Sequence, residues 1–261
     1  KLKKIWVFAE LLLFVLVGAQ VNIHVEWEAG LAGIAFVPAP GWLSMSLVLL
    51  ASFLSYGFGQ ALTDCFQTDT DSISAPYRPL CRGSVSRAQV LSVSLLGLGA
   101  CVLVYTVLQP TNVLVGIVGL FGLLTYTAFK RLWWAGPFYN AAIVVLVSFM
   151  AYTASAGTAL PPPDPVFLSM PGVVLFGYAH FVLVGYFKDI RADRATGYRT
   201  LPVVFGRRVS VAVTDLLVLL TALCALPSLA GAPPAAAALQ VAGLIALAVA
   251  WCHRPGFLKA D

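Results

Sequence analysis

VFLSMPGVVLFGYAHFVLVGYF, residues 166–187, contains no Asp, Glu, Lys or Arg, and the segment after it, KDIRADRATGYRTLPVVFGRR at 188–208, contains six Lys and Arg. At 1.5 Å of rise per residue, about 20 apolar residues cross a hydrocarbon core of roughly 30 Å. The first stretch therefore predicts a transmembrane helix and the second its polar flank. Comparable runs stand at 5–23, 42–62, 88–108, 113–129, 136–155, 209–229 and 235–252. The 261-residue chain is 60% hydrophobic and 10% charged, with a mean hydropathy of +0.89. A soluble domain carries about 25% charged residues, so a water-soluble enzyme is excluded. Intrinsic disorder is excluded too, because disordered chains are poor in Phe, Leu and Val. The expectation is an all-α, polytopic membrane protein, a bundle of eight transmembrane helices forming a single domain over 1–261. The first run follows Lys1, Lys3 and Lys4 but is too long for a signal-peptide core and has no small-residue cleavage site after it, so it is expected to be a true span.

Charge sets the expected orientation. All 16 Lys and Arg fall on alternate connecting segments: the N-terminus, 63–87, 130–131, 188–208 and the C-terminus. Segments 24–41, 109–112, 156–165 and 230–234 carry none, and instead hold Glu26, Glu28 and Asp164. The positive-inside rule then puts both termini and the charged loops in the cytoplasm. The net charge of +5 reads as attraction to the bilayer surface, and no nucleic-acid partner is expected. The five Cys have no CxxC spacing, which argues against a disulfide framework or a zinc site.

Most acids lie in two of these charged segments. One is Thr63-Asp64-Cys65-Phe66-Gln67-Thr68-Asp69-Thr70-Asp71; the other is Lys188-Asp189-Ile190-Arg191-Ala192-Asp193-Arg194. If the helices continue through them, Asp64 and Asp71 share a face, Asp189 and Asp193 share a face, and Asp69 points elsewhere. Two carboxylate pairs facing each other suit a hard cation such as Mg2+, which binds oxygen and leaves positions open for substrate phosphate. Arg78, Arg82, Lys130, Arg131, Lys188, Arg194 and Arg199 surround them, a mixture that fits a polyanion held partly by metal and partly by cations. A diphosphate is the economical reading. The alternative is a set of ordinary polar loops, which the spacing of the acids at span ends disfavours. A transporter is the other alternative, but transporters place their charges at the midplane and show related halves.

These residues also carry a resemblance to the UbiA superfamily of intramembrane prenyltransferases. The family pattern Asn-Asp-x-x-Asp-x-x-x-Asp, followed by Pro-x-Arg-Pro and Gly, is similar to Thr63-Asp64-x-x-Gln67-x-x-x-Asp71, then Pro76-Tyr77-Arg78-Pro79 and Gly83. The tail of this motif is close to the chlorophyll-synthase-like branch. The pattern Asp-x-x-x-Asp, then Gly and Thr-Leu-Pro, resembles Asp189-x-x-x-Asp193, Gly197 and Thr200-Leu201-Pro202. A shorter match is Tyr126-Thr127-Ala128-Phe129-Lys130-Arg131. The resemblance implies an isoprenyl diphosphate bound through Mg2+. Asp64, Asp71, Asp189 and Asp193 are then the catalytic, metal-holding residues, with Gln67 as a weaker metal ligand. Arg78, Lys130, Arg131, Lys188 and Arg199 are expected on the diphosphate. Departure of diphosphate would leave an allylic cation, which a small, hydrophobic, aromatic or quinone-like acceptor captures. The altered first motif, with Thr63 and Gln67 where the family has Asn and Asp, also fits members that act as terpene cyclases.

Expected pocket residues for the prenyl tail or acceptor are Glu10, Thr63, Tyr126, Tyr139, Asn140 and Tyr186, with Phe53, Tyr56 and Tyr178 as further aromatic candidates. An acid inside a span is a functional hypothesis by default, which singles out Glu10. Span 1 has no Arg to pair with an acceptor carboxylate, which disfavours a benzoate. His180 is expected to be a packed interior side chain.

Overall fold

The computed structural model describes residues 41–160 and 165–229, with isolated positions at 234, 237–238, 241–243 and 245. The apolar run at 5–23, Glu10 within it, and most of the run at 235–252 lie outside the described residues.

Among the described residues the chain forms eight helices and no strand. They are α1 (Gly41–Asp64), α2 (Thr68–Ser74), α3 (Arg87–Leu108), α4 (Asn112–Lys130), α5 (Gly136–Ala156), α6 (Pro165–Tyr186), α7 (Ile190–Ala195) and α8 (Leu201–Leu229). Helices α1, α3, α4, α5, α6 and α8 are long and apolar enough to cross a membrane. They cover six of the runs read from the sequence, and the protein is an integral membrane protein. Inside a bilayer every backbone N–H and C=O needs an internal partner, which a helix supplies within one segment.

Local chemistry sets several boundaries. Helix α3 starts with a capping box: Ser86 Oγ accepts from the Gln89 N–H at 3.2 Å, and Gln89 Oε1 accepts from the Ser86 N–H at 2.8 Å. Helix α8 begins at Leu201, eight positions before the apolar run does, and bends at Gly206, where φ is 76° and ψ 174°. A side chain would forbid that backbone conformation, so glycine is required there. Arg207 and Arg208 follow the bend, and their charge hides the short helical stretch from a hydropathy reading.

Helix α6 packs between α5 and α8, α1 packs on α3, and α4 packs on α5. Tyr178, Ala179, Leu183, Ala141 and Leu217 form the contact core around α6. Outward residues remain uncovered, with Leu96 75% and Phe121 65% exposed, as faces toward lipid require. One end of the bundle is tied by Asn112, which is fully buried. Its Nδ2 donates to the Tyr105 and Met150 carbonyls at 3.3 and 3.1 Å, and its Oδ1 accepts from Thr153 Oγ1 at 2.8 Å. That joins α3, α4 and α5. The charged connections gather at the other end, where the segments after α1, α4 and α6 meet.

Candidate active site

The first acidic segment is not one continuous helix. Helix α1 stops at Asp64, and the next three amides turn back, Cys65 to Leu62 O, Phe66 to Thr63 O and Gln67 to Asp64 O, before α2 starts at Thr68. The expected pairing of Asp64 with Asp71 arises by another route. Arg78 Nη1 lies 2.7 Å from Asp64 Oδ1 and 2.5 Å from Asp71 Oδ2, so one guanidinium nitrogen bridges both. Asp69 points away from them. Its carboxylate lies 3.7 Å from Arg131 Nη2 and accepts from the Tyr198 hydroxyl at 3.3 Å.

The second segment breaks after Tyr186, and Asp189 stands at the start of α7. The Asp193 N–H donates to Asp189 O at 2.7 Å, which keeps the two acids one turn apart. Asp193 is fully buried; its Oδ2 accepts from Thr200 Oγ1 at 3.1 Å. Lys188 Nζ lies 3.6 Å from Asp189 Oδ2.

Lys130 joins the two segments. It is buried, donates to Gln67 Oε1 at 2.6 Å and lies 3.8 Å from Asp193 Oδ1. Its ammonium sits 5.4 Å from the ring centroid of Tyr186 and 5.3 Å from that of Tyr198, within cation–π range. Gln67 Oε1, the expected weaker metal ligand, thus accepts from Lys130. Gly136 makes this packing possible: a Cβ there would stand 2.5 Å from the Tyr186 hydroxyl and 3.1 Å from the Lys130 Cα. Arg131 covers the other face of the cluster, 4.7 Å from the Tyr198 ring, and the exposed Arg199 is anchored by its N–H to Arg131 O at 3.1 Å.

The expected pocket residues divide. The hydroxyls of Tyr126 and Tyr186 lie 3.1 Å apart, the Tyr186 ring stands beside Lys130, and Asn140 is buried on α5. Thr63 is buried, and its hydroxyl donates to Gln60 O at 2.9 Å. Tyr139 turns elsewhere, stacked on Phe129 at 4.0 Å and sharing a 2.7 Å hydrogen bond with Thr125. Phe53 is 61% exposed. His180 is buried with Nδ1 3.3 Å from Thr214 O, an interior contact between α6 and α8. Tyr198 and Thr200 were not singled out as site residues from the sequence. Thr200 opens the Thr-Leu-Pro triplet of the second motif, and that position was the available signal.

Burial pushes the Asp193 carboxyl up to about 6, against the pull of Lys130. Burial also raises Asp71, and Arg78 offsets part of that. Asp189 Oδ1 is buried without a hydrogen-bond partner among the described residues and is open toward a cation, while Asp193 Oδ1 faces the Lys130 ammonium at 3.8 Å. No three His, Cys, Asp or Glu side chains form a metal cage among the described residues. Paired carboxylates without a cage suit Mg2+, which is commonly held by one or two carboxylates plus substrate phosphate.

The position of Asp69 leads to a test. On the expectation that Asp71 holds Mg2+ for diphosphate release and Asp69 does not, Asp69→Asn should leave the Mg2+ dependence unchanged, while Asp71→Asn should raise the Mg2+ concentration needed by about tenfold or more through loss of a charged oxygen. Equal effects in Mg2+ titrations of the two variants would show that Asp69 has replaced Asp71 at the cation.

Fold and side-chain placement together define a helical integral membrane protein with two aspartate segments and the buried Lys130 gathered at one end of the bundle. Residues 27–257 match the UbiA prenyltransferase family, and the chain belongs to that family. It is 35% identical over 179 residues to digeranylgeranylglyceryl phosphate synthase of Natronomonas pharaonis, covering 65% of this chain and 60% of that protein. It is 31% identical over 161 residues to chloroplastic chlorophyll synthase of Oryza sativa subsp. japonica, covering 58% of this chain and 42% of that one. The matches thus span from about two-fifths to three-fifths of these relatives. The fold is also that of a UbiA homolog from Archaeoglobus fulgidus bound to DMAPP and Mg2+, with TM-score 0.60, 15% identity and coverage of 97% of this chain and 85% of that one.

Proposed function

We propose that this chain is a Mg2+-dependent intramembrane prenyltransferase that ionises an isoprenyl diphosphate and passes the prenyl group to a lipophilic acceptor. The observation that carries the reading is the meeting of two aspartate pairs with the buried Lys130 at one end of a membrane bundle. Asp64, Asp71, Asp189 and Asp193 would hold the metal. When bound, Mg2+ supplies Lewis-acid charge for the departing diphosphate. Lys130, Arg78, Lys188, Arg131 and Arg199 bind and orient the diphosphate, and Gln67 serves by fixing Lys130. The C1–O bond breaks with its electron pair going to the diphosphate. The rings of Tyr126 and Tyr186 present aromatic faces to the allylic cation. The acceptor nucleophile closes the new bond and loses its proton. An aromatic or quinone-like acceptor is the first choice; the two relatives make different products, so their names favour no single acceptor.

A second reading, a terpene cyclase, is favoured by Thr63 and Gln67, whose side chains are both engaged within the protein. Incubating the purified protein with C10 to C20 isoprenyl diphosphates and Mg2+, without any acceptor, separates the two. A cyclic hydrocarbon establishes the cyclase and removes the transferase. Prenyl transfer only after an acceptor is added supports the transferase. Absence of diphosphate release under all conditions removes both.

The orientation proposed is active end and both termini in the cytoplasm, with eight spans. Cys81 is partly exposed in the loop after α2, whereas Cys65 is buried. An impermeant thiol reagent should therefore modify Cys81 from the cytoplasmic side alone and leave Cys65 unmodified. Labelling of Cys81 from the exterior would invert the topology.

A further inference from the structure

We propose that Arg78 is a displaceable internal cation that couples metal entry to diphosphate binding, an inference that rests on the functional reading above. A single guanidinium nitrogen touches Asp64 Oδ1 and Asp71 Oδ2, the two carboxylates assigned to the metal in the first segment. The bridge stands partly open, with side-chain exposures of 30% for Arg78, 31% for Asp64 and 11% for Asp71. Arginine does not deprotonate under ordinary conditions, so it leaves the carboxylates only by swinging away.

A divalent ion arriving alone meets two carboxylates already sharing one positive charge. It must also displace the Arg78 hydrogen bond to Asp71 and the Arg78 ion pair with Asp64 while losing water that Mg2+ gives up reluctantly. A diphosphate alters that balance. It offers the planar guanidinium two phosphate oxygens in bidentate geometry, so Arg78 leaves one anion for another and loses no pairing. Metal and diphosphate then favour each other's binding, and by linkage the factor is the same in both directions. Arg78 sits in the turn after α2, where its N–H donates to Ala75 O at 3.0 Å, and its partly exposed side chain crosses back to α1 and α2. If Arg78 were only a brace for α2, its removal would scatter the carboxylates and weaken the metal. Displacement predicts the opposite sign.

The test is Mn2+ binding to the full chain in detergent, read by electron paramagnetic resonance, with no turnover required. Titrations are run with Mn2+ alone, with inorganic diphosphate, and with a non-reactive geranyl thiodiphosphate. In the parent protein either anion should tighten Mn2+ by about tenfold or more. Arg78→Met should bind Mn2+ alone about tenfold more tightly than the parent, because two unshared carboxylates now face the ion, and the anions should add less than about threefold. Arg78→Lys, a point charge without the fork, should fall between. If Arg78→Met fails to fold, the Arg78→Lys titration decides, and parent-like values there overturn the proposal. So does an Arg78→Met protein that binds Mn2+ alone no more tightly than the parent, or a parent in which neither anion tightens Mn2+. Coupling to inorganic diphosphate but not to the prenyl analogue would remove the prenyl reading and leave the Arg78 displacement standing.

Discussion

In Asp189→Ala and in Asp193→Ala, release of diphosphate from an isoprenyl diphosphate should fall by about 10²–10³-fold, the usual cost of deleting a group aimed at developing charge. The two differ in what they do to the fold. The Asp189 side chain is mostly buried, but its partner Lys188 at 3.6 Å is half-exposed and turns to water once the carboxylate is gone, so the loss of stability is about 1 kcal/mol or less. Asp193 is fully buried against Lys130 and Thr200. Its removal leaves a buried ammonium without its carboxylate, a loss of about 3–5 kcal/mol. Asp193→Asn keeps an acceptor for Thr200 and should lose the activity with a smaller fall in stability. Single-turnover release beside thermal unfolding separates the effects. Turnover retained in both alanine variants defeats the assignment of the second aspartate segment.

Lys130→Met should lower the rate by a similar factor, about 10²–10³-fold, while the Mg2+ concentration needed does not rise. The ammonium is the buried cation between the two segments, held at 2.6 Å by a neutral amide. Gln67 carries no charge and fixes Lys130 without neutralising it, and the paired carboxylate of Asp193 stands at the longer distance of 3.8 Å, so the ammonium can still draw an incoming anion. Lys130→Arg should not rescue the rate. The planar fork is wider than an ammonium, and Tyr186, Tyr198 and the backbone at Gly136 crowd the site. A Lys130→Met enzyme within about threefold of the parent rate would remove Lys130 from the chemistry, on the same scale of effect.

Six membrane helices were legible because hydropathy over a bilayer thickness is a local property. The breaks at 65–67 and 187–189 were not. There the helical period of the acids runs on into polar sequence, and nothing local says that the chain turns. The faces nevertheless came out as the spacing implied, because Arg78 gathers Asp64 and Asp71 across the turn, and the Asp193 amide reaches back to Asp189. The bond between Gln67 and Lys130 links residues 63 positions apart, a separation over which a single sequence carries no pairing signal. Tyr139 shows the reverse error. It is aromatic and near Lys130 in the chain, yet it begins a different face of α5 and finds its partners in Thr125 and Phe129.

Asn112 bears on how the bundle comes together. Helices enter a bilayer singly or as hairpins and pack afterwards, since lipid is as apolar as their own faces. An amide buried at the start of α4, as Asn112 is, is cut off from water and needs protein partners. The short 109–111 connection brings the Tyr105 carbonyl of α3 alongside, which serves one N–H. The second N–H and the carbonyl oxygen are satisfied only when α5 docks and supplies Met150 O and Thr153 Oγ1. The α3–α4 hairpin therefore travels with half of an unfinished joint. Assembly gains a preferred order and a single register, fixed at the end of the bundle remote from the aspartates.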